Sequence, residues 1–164
     1  GDCDDDNADI NPGAEDTCDG RDNDCDSAID EDATPDDYEP NDTLDFPLGD
    51  LEDTIEISAF LATEDDVDRY RFNYSDSWID FDGLTVALLG LDGSVTYKLE
   101  IFEVESGEEI FEAFNTVDDE SIEFELDSGW GSDSGEFRVV VSSLGGGGCL
   151  HEYRLEIVHS DWWK

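Results

Sequence analysis

From about residue 54 onward, apolar and polar positions alternate with a period of two. The stretches TIEISAFL, VDRYRFNY, LTVALLGL, VTYKLEIF, EIFEAF, SIEFEL, EFRVVVSSL and HEYRLEIV follow one another, and each reads as a strand. Gly-, Asp- and Ser-rich turns such as SDSWIDFDG, LDGS and DSGWGSDSG separate them. In YKLEIF, Tyr97, Leu99 and Ile101 face one way and Lys98, Glu100 and Phe102 the other. In IEFEL, Ile122, Phe124 and Leu126 share a face opposite Glu123 and Glu125. This is the pattern of an antiparallel sheet with one face buried and one in water. About eight such strands joined by short loops predict a mainly β fold, an antiparallel β-sandwich of jelly-roll-like form. No stretch carries a convincing helical period.

The pattern fails before residue 36. Residues 1–35 are dense in Asp, Asn, Gly and Pro, and Ile10 and Ile29 are their only large aliphatic side chains. A segment with so little to bury cannot offset its own chain entropy and needs a metal or a disulfide to hold it. Residues 36–48, DDYEPNDTLDFPL, form a strap in which Pro40 and Pro47 exclude helix. The expected organisation is an irregular Asp-rich repeat over 1–35 and a sandwich domain over 36–164.

Composition narrows the partners. The formal net charge is −41, from 48 acidic against 7 basic residues, so nucleic acid and anionic membrane surfaces are poor partners for want of Lys and Arg, and neither nucleic-acid binding nor membrane insertion is expected. No apolar run reaches the roughly 18 residues of a membrane span. Such acidity often means disorder, but 37% hydrophobic and 11% aromatic residues in periodic runs argue for a folded acidic domain. Adaptation to saline water is the plainer explanation of part of the charge. No signal peptide is evident, and the chain opens inside its own pattern at Gly1-Asp2-Cys3, as expected of a fragment of a longer precursor with neighbouring domains.

The acidic residues of the repeat are spaced, not merely abundant. Asp2, Asp4 and Asp6 stand at i, i+2 and i+4, a spacing that turns three carboxylates onto one centre in a looped backbone, as in the calcium loop of an EF-hand. Ala8 or Ile10 would supply a backbone carbonyl, and Asp16 or Glu15 would close the shell after the Pro12-Gly13 turn. Asp22, Asp24 and Asp26 repeat the spacing, with Ala28 at the carbonyl position and Asp30 or Glu31 following. All these donors are hard oxygens, which select Ca²⁺ over transition metals. The plainer alternative, a solvated acidic tail, does not account for the alternation or the interleaved cysteines.

These residues, DCDDDNADINPGAEDTCDGRDNDCDSAIDED, resemble the MopE-type metal-binding repeat of secreted bacterial proteins and are similar to the calcium-wrapped repeats of thrombospondin type 3. The family usually has Gly where this chain has Ser27, and a positive φ there is the expected reason. Copper belongs to the family's name, but nothing in this stretch favours it. The rest of the chain, through DDYEPNDT, EDDVDRYRF and the terminal EYRLEI, resembles the bacterial pre-peptidase C-terminal domain and its relatives, the collagen-binding domains of clostridial collagenases. That resemblance implies a β-sandwich beside a catalytic domain in a secreted peptidase. It also implies a third calcium site, with Asp37, Glu39, Asn41 and Asp42 from the strap and Asp65 and Asp68 from the turn before the second strand. The plainer reading makes these residues a turn and a polar loop.

Four cysteines, Cys3, Cys18, Cys25 and Cys149, point to an oxidising compartment. Their spacing is not that of a zinc pair. Four cysteines allow three pairings, among which the sequence alone does not choose; the working expectation is Cys18 with Cys25 and Cys3 with Cys149. His151 and His159 are the only histidines, and no nucleophile stands beside them, so no enzyme is expected. Trp78, Trp130, Trp162 and Trp163 lie in loops or at the end of the chain, as rim and packing residues or as a platform for a polymer. The expected function is a non-catalytic, calcium-binding accessory or spacer module, secreted or on the bacterial cell surface. The alternative is a module that targets a hydrolase to an extracellular protein such as collagen, or to a polysaccharide.

Overall fold

A computed structural model describes residues 3–4, 7–17, 21–30, 36–75, 82–104, 109–116, 118–125, 135–146 and 151–161. Nine strands run through these residues: β1 (Phe46–Leu51), β2 (Thr54–Phe60), β3 (Val67–Tyr74), β4 (Asp82–Leu89), β5 (Thr96–Glu103), β6 (Glu109–Thr116), β7 (Glu120–Glu125), β8 (Gly135–Gly145) and β9 (Glu152–Asp161). They make a five-stranded sheet in the order β1-β3-β8-β5-β6 and a four-stranded sheet in the order β2-β9-β4-β7. Every stretch read as a strand from its alternation is one. All pairings are antiparallel except β1 with β3, which is parallel.

β1 begins at the end of the strap and runs past it, where the sequence offered no alternation. It contains Pro47 and Gly49 and shifts register between them. Proline lacks the N–H that a central strand must donate, so it is tolerated only on an edge, and β1 is the edge of its sheet.

Alternate residues of the strands meet between the sheets. Tyr70, Phe72 and Tyr74 of β3, Tyr97, Leu99 and Ile101 of β5, Phe137, Val139 and Val141 of β8, and Tyr153, Leu155 and Ile157 of β9 are all buried. Leu84, Val86 and Leu88 of β4 join them. Each such side chain contributes on the order of 1.5–3 kcal/mol by leaving water. The outward residues of β5, Lys98 and Glu100, form an ion pair at 2.7 Å. Side chains of β7 lie outside the described residues, but its register sets Ile122 opposite Val86 and Phe124 opposite Leu84.

The strap is tied down along its length. Asp36 accepts hydrogen bonds from the N–H groups of Tyr38 and Phe60, both at 2.9 Å. Tyr38 packs edge-on against Phe46 and Tyr70. Arg138 of β8 reaches Asp45 at 2.7 Å.

β8 ends in a turn that only glycine fits. Gly146 has φ +79°, and a Cβ there would lie 2.8 Å from the carbonyl oxygen of Ser94. Gly49 has φ +89° with open space around it. We therefore expect Gly146→Ala to lower the urea unfolding free energy by about 2 kcal/mol or more, since the left-handed conformation alone costs an L-residue roughly 1–2 kcal/mol. Gly49→Ala should lose only that conformational part. Equal losses in the two variants would show that the Ser94 contact is not limiting.

Candidate metal centres

Two groups of carboxylates are gathered among the described residues. In the repeat, oxygens of Asp16, Asp22 and Asp24 lie within 4.8 Å of one another. The backbone has no regular structure there, so side chains bind the N–H groups that a helix or sheet would otherwise satisfy. Asp16 is buried, and its Oδ1 accepts from the N–H groups of Asn23 at 2.8 Å and Asp24 at 3.2 Å. Asp22 accepts from Asp26 and Ser27 at 3.1 and 3.0 Å. Asn23 stitches the halves of the repeat together: its carbonyl accepts from Asn11 N–H at 2.9 Å, and its side chain from Thr17 N–H at 3.0 Å. Burial and then the neighbouring Asp26, Asp16 and Asp22 raise the pKa of Asp24, against a hydrogen bond from the Asp26 backbone.

The structure distributes the expected ligands of the repeat unevenly. Asp16, expected to close the first loop, stands with Asp22 and Asp24 of the second. Asp26 instead accepts from Ala28 N–H at 2.8 Å, and the Ala8 carbonyl accepts from the Asn11 side chain at 3.1 Å. The Asp4 carbonyl accepts from Asn7 N–H at 3.0 Å, and Asp30 is buried. Asp2, Asp6 and Glu31 lie outside the described residues. Ser27, where the family usually has Gly, does adopt a positive φ of 88°.

The disulfide corrects the expected pairing. Cys25 is bonded to Cys3, with Cα atoms 5.8 Å apart, and so to neither Cys18 nor any partner in the sandwich. The chain doubles back, bringing residue 11 to residue 23 and residue 3 to residue 25. Cys18 and Cys149 lie outside the described residues.

The second group joins the strap to the start of β3: Glu39, Asp66 and Asp68 bring oxygens within 4.8 Å of one another. Asp66 and Asp68 are i and i+2 at the mouth of the strand, so both turn toward the same side, whereas Asp65 is exposed. The sequence reading chose Asp65 and passed over Asp66; the two-residue period of VDRYRF, extended back by one, was the signal available. Glu39 accepts from Asn41 N–H at 3.0 Å, and Asp42 from Val67 N–H at 3.3 Å. Asp42 also lies beside Asp66, and Asp37 is exposed.

Asp68 is fully buried. Its Oδ2 accepts the hydroxyl proton of Tyr153, and its Oδ1 has no hydrogen-bond partner among the described residues. Asn41 is fully buried beside the Tyr70 hydroxyl, and neither of its amide atoms meets hydrogen-bond geometry with a described group. Two carboxylates at such a separation repel by roughly 3–4 kcal/mol at a partly screened protein site. Burial first, and then neighbouring acids, push Asp66 up to about 7 and Asp68 up to about 8. Glu39 is raised for the same reasons. Buried oxygens that lack hydrogen-bond donors and sit in a cluster of like charge fit a hard cation.

The histidines are engaged elsewhere: His151 Nδ1 lies 2.8 Å from Asp92, and His159 packs edge-on to Tyr74. All four tryptophans lie outside the described residues. The exposed large apolar side chains among the described residues are Ile29, Leu44 and Leu144, and no described helix is long and apolar enough to cross a membrane.

Fold and site together define a β-sandwich that carries a metal-binding motif. Residues 2–31 match the MopE family model, described as a "Putative metal-binding motif". No curated protein matches the chain. Among solved structures, it is similar to the pre-peptidase C-terminal domain of a Bacillus anthracis collagenase, at 14% identity and TM-score 0.46 over 73% of this chain and 100% of that one. It is also similar to Aeromonas hydrophila PliG, a periplasmic inhibitor of g-type lysozyme, at 10% identity and TM-score 0.40 over 70% and 97% of the two chains. A family 6 carbohydrate-binding module aligns at 10% identity and TM-score 0.36 over 69% and 96%.

The raised carboxyls set a pH dependence. A carboxyl whose folded pKa lies above its unfolded value adds stability that is fully present below the unfolded pKa and is lost as pH rises through the folded one. For Asp66 and Asp68 that window opens at the model-peptide value of 3.8 and closes near 7 and 8. In chelator, the melting temperature of the parent should therefore fall from about pH 4 to about pH 9. Asp68→Asn should flatten that fall and melt above the parent at the alkaline end. Parallel falls in both proteins would mean that the buried carboxyls are not its source.

Proposed function

We propose that this chain is a non-catalytic, calcium-binding accessory module of a secreted or cell-surface bacterial protein. Residues 1–35 form the calcium-binding repeat and residues 36–164 the sandwich, with bound calcium stiffening the repeat and the strap through which the sandwich begins. The observation that carries this reading is Asp68: a fully buried carboxylate with one oxygen lacking a hydrogen-bond partner among the described residues, grouped with two further carboxylates. Such an arrangement is stable at neutral pH only with protons or a cation in place.

Calcium is favoured by the donor set. Both groups are carboxylates alone, with no imidazole, thiolate or thioether among them, and such hard oxygens suit Ca²⁺ rather than copper. In the strap site Glu39, Asp66 and Asp68 would be the anionic donors, with Asn41 and Asp42 adjacent. In the repeat Asp16, Asp22 and Asp24 would hold the ion. The Cys3–Cys25 disulfide fits an oxidising compartment.

The test is the melting temperature in excess calcium, in excess magnesium and in chelator, at one high ionic strength. A ligand that binds only the folded state adds about 2.7 kcal/mol per site at a free concentration about 100 times its Kd. We expect a rise with calcium that magnesium does not match. Equal melting in all three would assign the acidity to solvation in saline water. In the same protein Asp24→Ala should abolish calcium binding by the repeat, read by titration calorimetry, while leaving sandwich melting in chelator unchanged. Undiminished binding would remove Asp24 from the ligand set.

A further inference from the structure

The strap site continues into the middle of the sandwich. Tyr153 on β9 donates to Asp68 Oδ2 at the start of β3. The Tyr153 hydroxyl lies 2.8 Å from that of Tyr70, also on β3. All three residues are fully buried. Burial and the nearby Asp68 raise both phenols, so each is a neutral O–H group. A hydroxyl has one proton. Tyr153 gives its own to Asp68, so Tyr70 must supply the proton between the two phenols. The chain is therefore polarised in one sense, from Tyr70 through Tyr153 to Asp68, and each bond strengthens the next. Since β3 and β9 belong to different sheets, this chain also crosses the core.

The consequence falls on Asp68 Oδ1. Tyr153 engages Oδ2, and Oδ1, which has no hydrogen-bond partner among the described residues, is the oxygen left fully open to a cation. Without the phenol the carboxylate could turn about its last bond and lose its aim at Glu39 and Asp66. We propose that Tyr153, backed by Tyr70, is a positioning residue for the strap site, fixing Asp68 as a one-oxygen ligand and carrying the state of the site into the contact between the two sheets. This rests on the strap reading above.

The experiment uses the full chain, stripped by chelator and titrated with Ca²⁺. Affinity is read by calorimetry and the tyrosine environment by near-ultraviolet circular dichroism. Binding that disappears in Asp68→Asn defines the strap site. Calcium should shift the tyrosine band of the parent. Tyr153→Phe should weaken strap binding by about tenfold, the lower end of what outer-sphere partners of metal ligands contribute, and should lose the band shift. Tyr97→Phe removes a buried phenol whose hydroxyl bonds the His151 carbonyl instead, and should keep both. If Tyr153→Phe binds calcium as the parent does while Asp68→Asn has lost the site, the positioning role is overturned and the strap site stands. If Asp68→Asn binds like the parent, the strap reading itself fails. Should Tyr153→Phe not fold, Tyr70→Phe decides: a few-fold weaker affinity with an altered band supports the chain, and parental behaviour overturns it.

Discussion

Carboxylates gathered closely enough to repel one another are the constraint around which both candidate sites of this protein are arranged. At the strap, Glu39, Asp66 and Asp68 converge with Asp36 and Asp42 close by. In the repeat, Asp16, Asp22 and Asp24 do the same. Both places answer the repulsion first with backbone N–H groups: Ala62 on Asp66, Phe60 on Asp36, and Asn23 and Asp24 on Asp16. These dipoles are partial charges, and the strap still leaves a buried oxygen of Asp68 without a hydrogen-bond partner among the described residues. On the reading proposed above, a divalent cation would supply the positive charge that these dipoles supply only in part.

The two sites obtain their rigidity differently. The repeat has two large aliphatic residues and no strand among its described residues; its described part is held by side chains bonding nearby backbone, by Asn23 joining its halves and by the Cys3–Cys25 disulfide. The strap is clamped onto a finished sandwich, with Tyr38 wedged against Phe46 and Tyr70 and Arg138 held on Asp45. A change at the strap therefore acts on a stiff body, whereas a change in the repeat acts on a loop whose order depends on the same few polar bonds.

Most of the sandwich was legible because alternation is a local property: eight strands announced themselves by side chains two residues apart. β1 did not, because Pro47 and Gly49 break its pattern and its parallel pairing with β3 is a long-range fact. The spacing of Asp22 and Asp24 was visible in the same way. Asp16 stands with Asp22 and Asp24 because the chain folds back from Asn11 to Asn23, which no spacing along the sequence marks. Asp66 is buried and Asp65 exposed because of where a strand begins, which the sequence leaves open. The Cys3–Cys25 bond depends on the same fold-back. The Tyr70–Tyr153 contact joins residues 83 positions apart, and nothing local marks it.

The Cys3–Cys25 bond limits the reach of the repeat. Drawn out, the 22 residue steps from one cysteine to the other would cover roughly 70 Å, but their Cα atoms are 5.8 Å apart. The chain enters and leaves this unit at nearly one point. The loop closed by this bond therefore adds almost no length along the path of the chain.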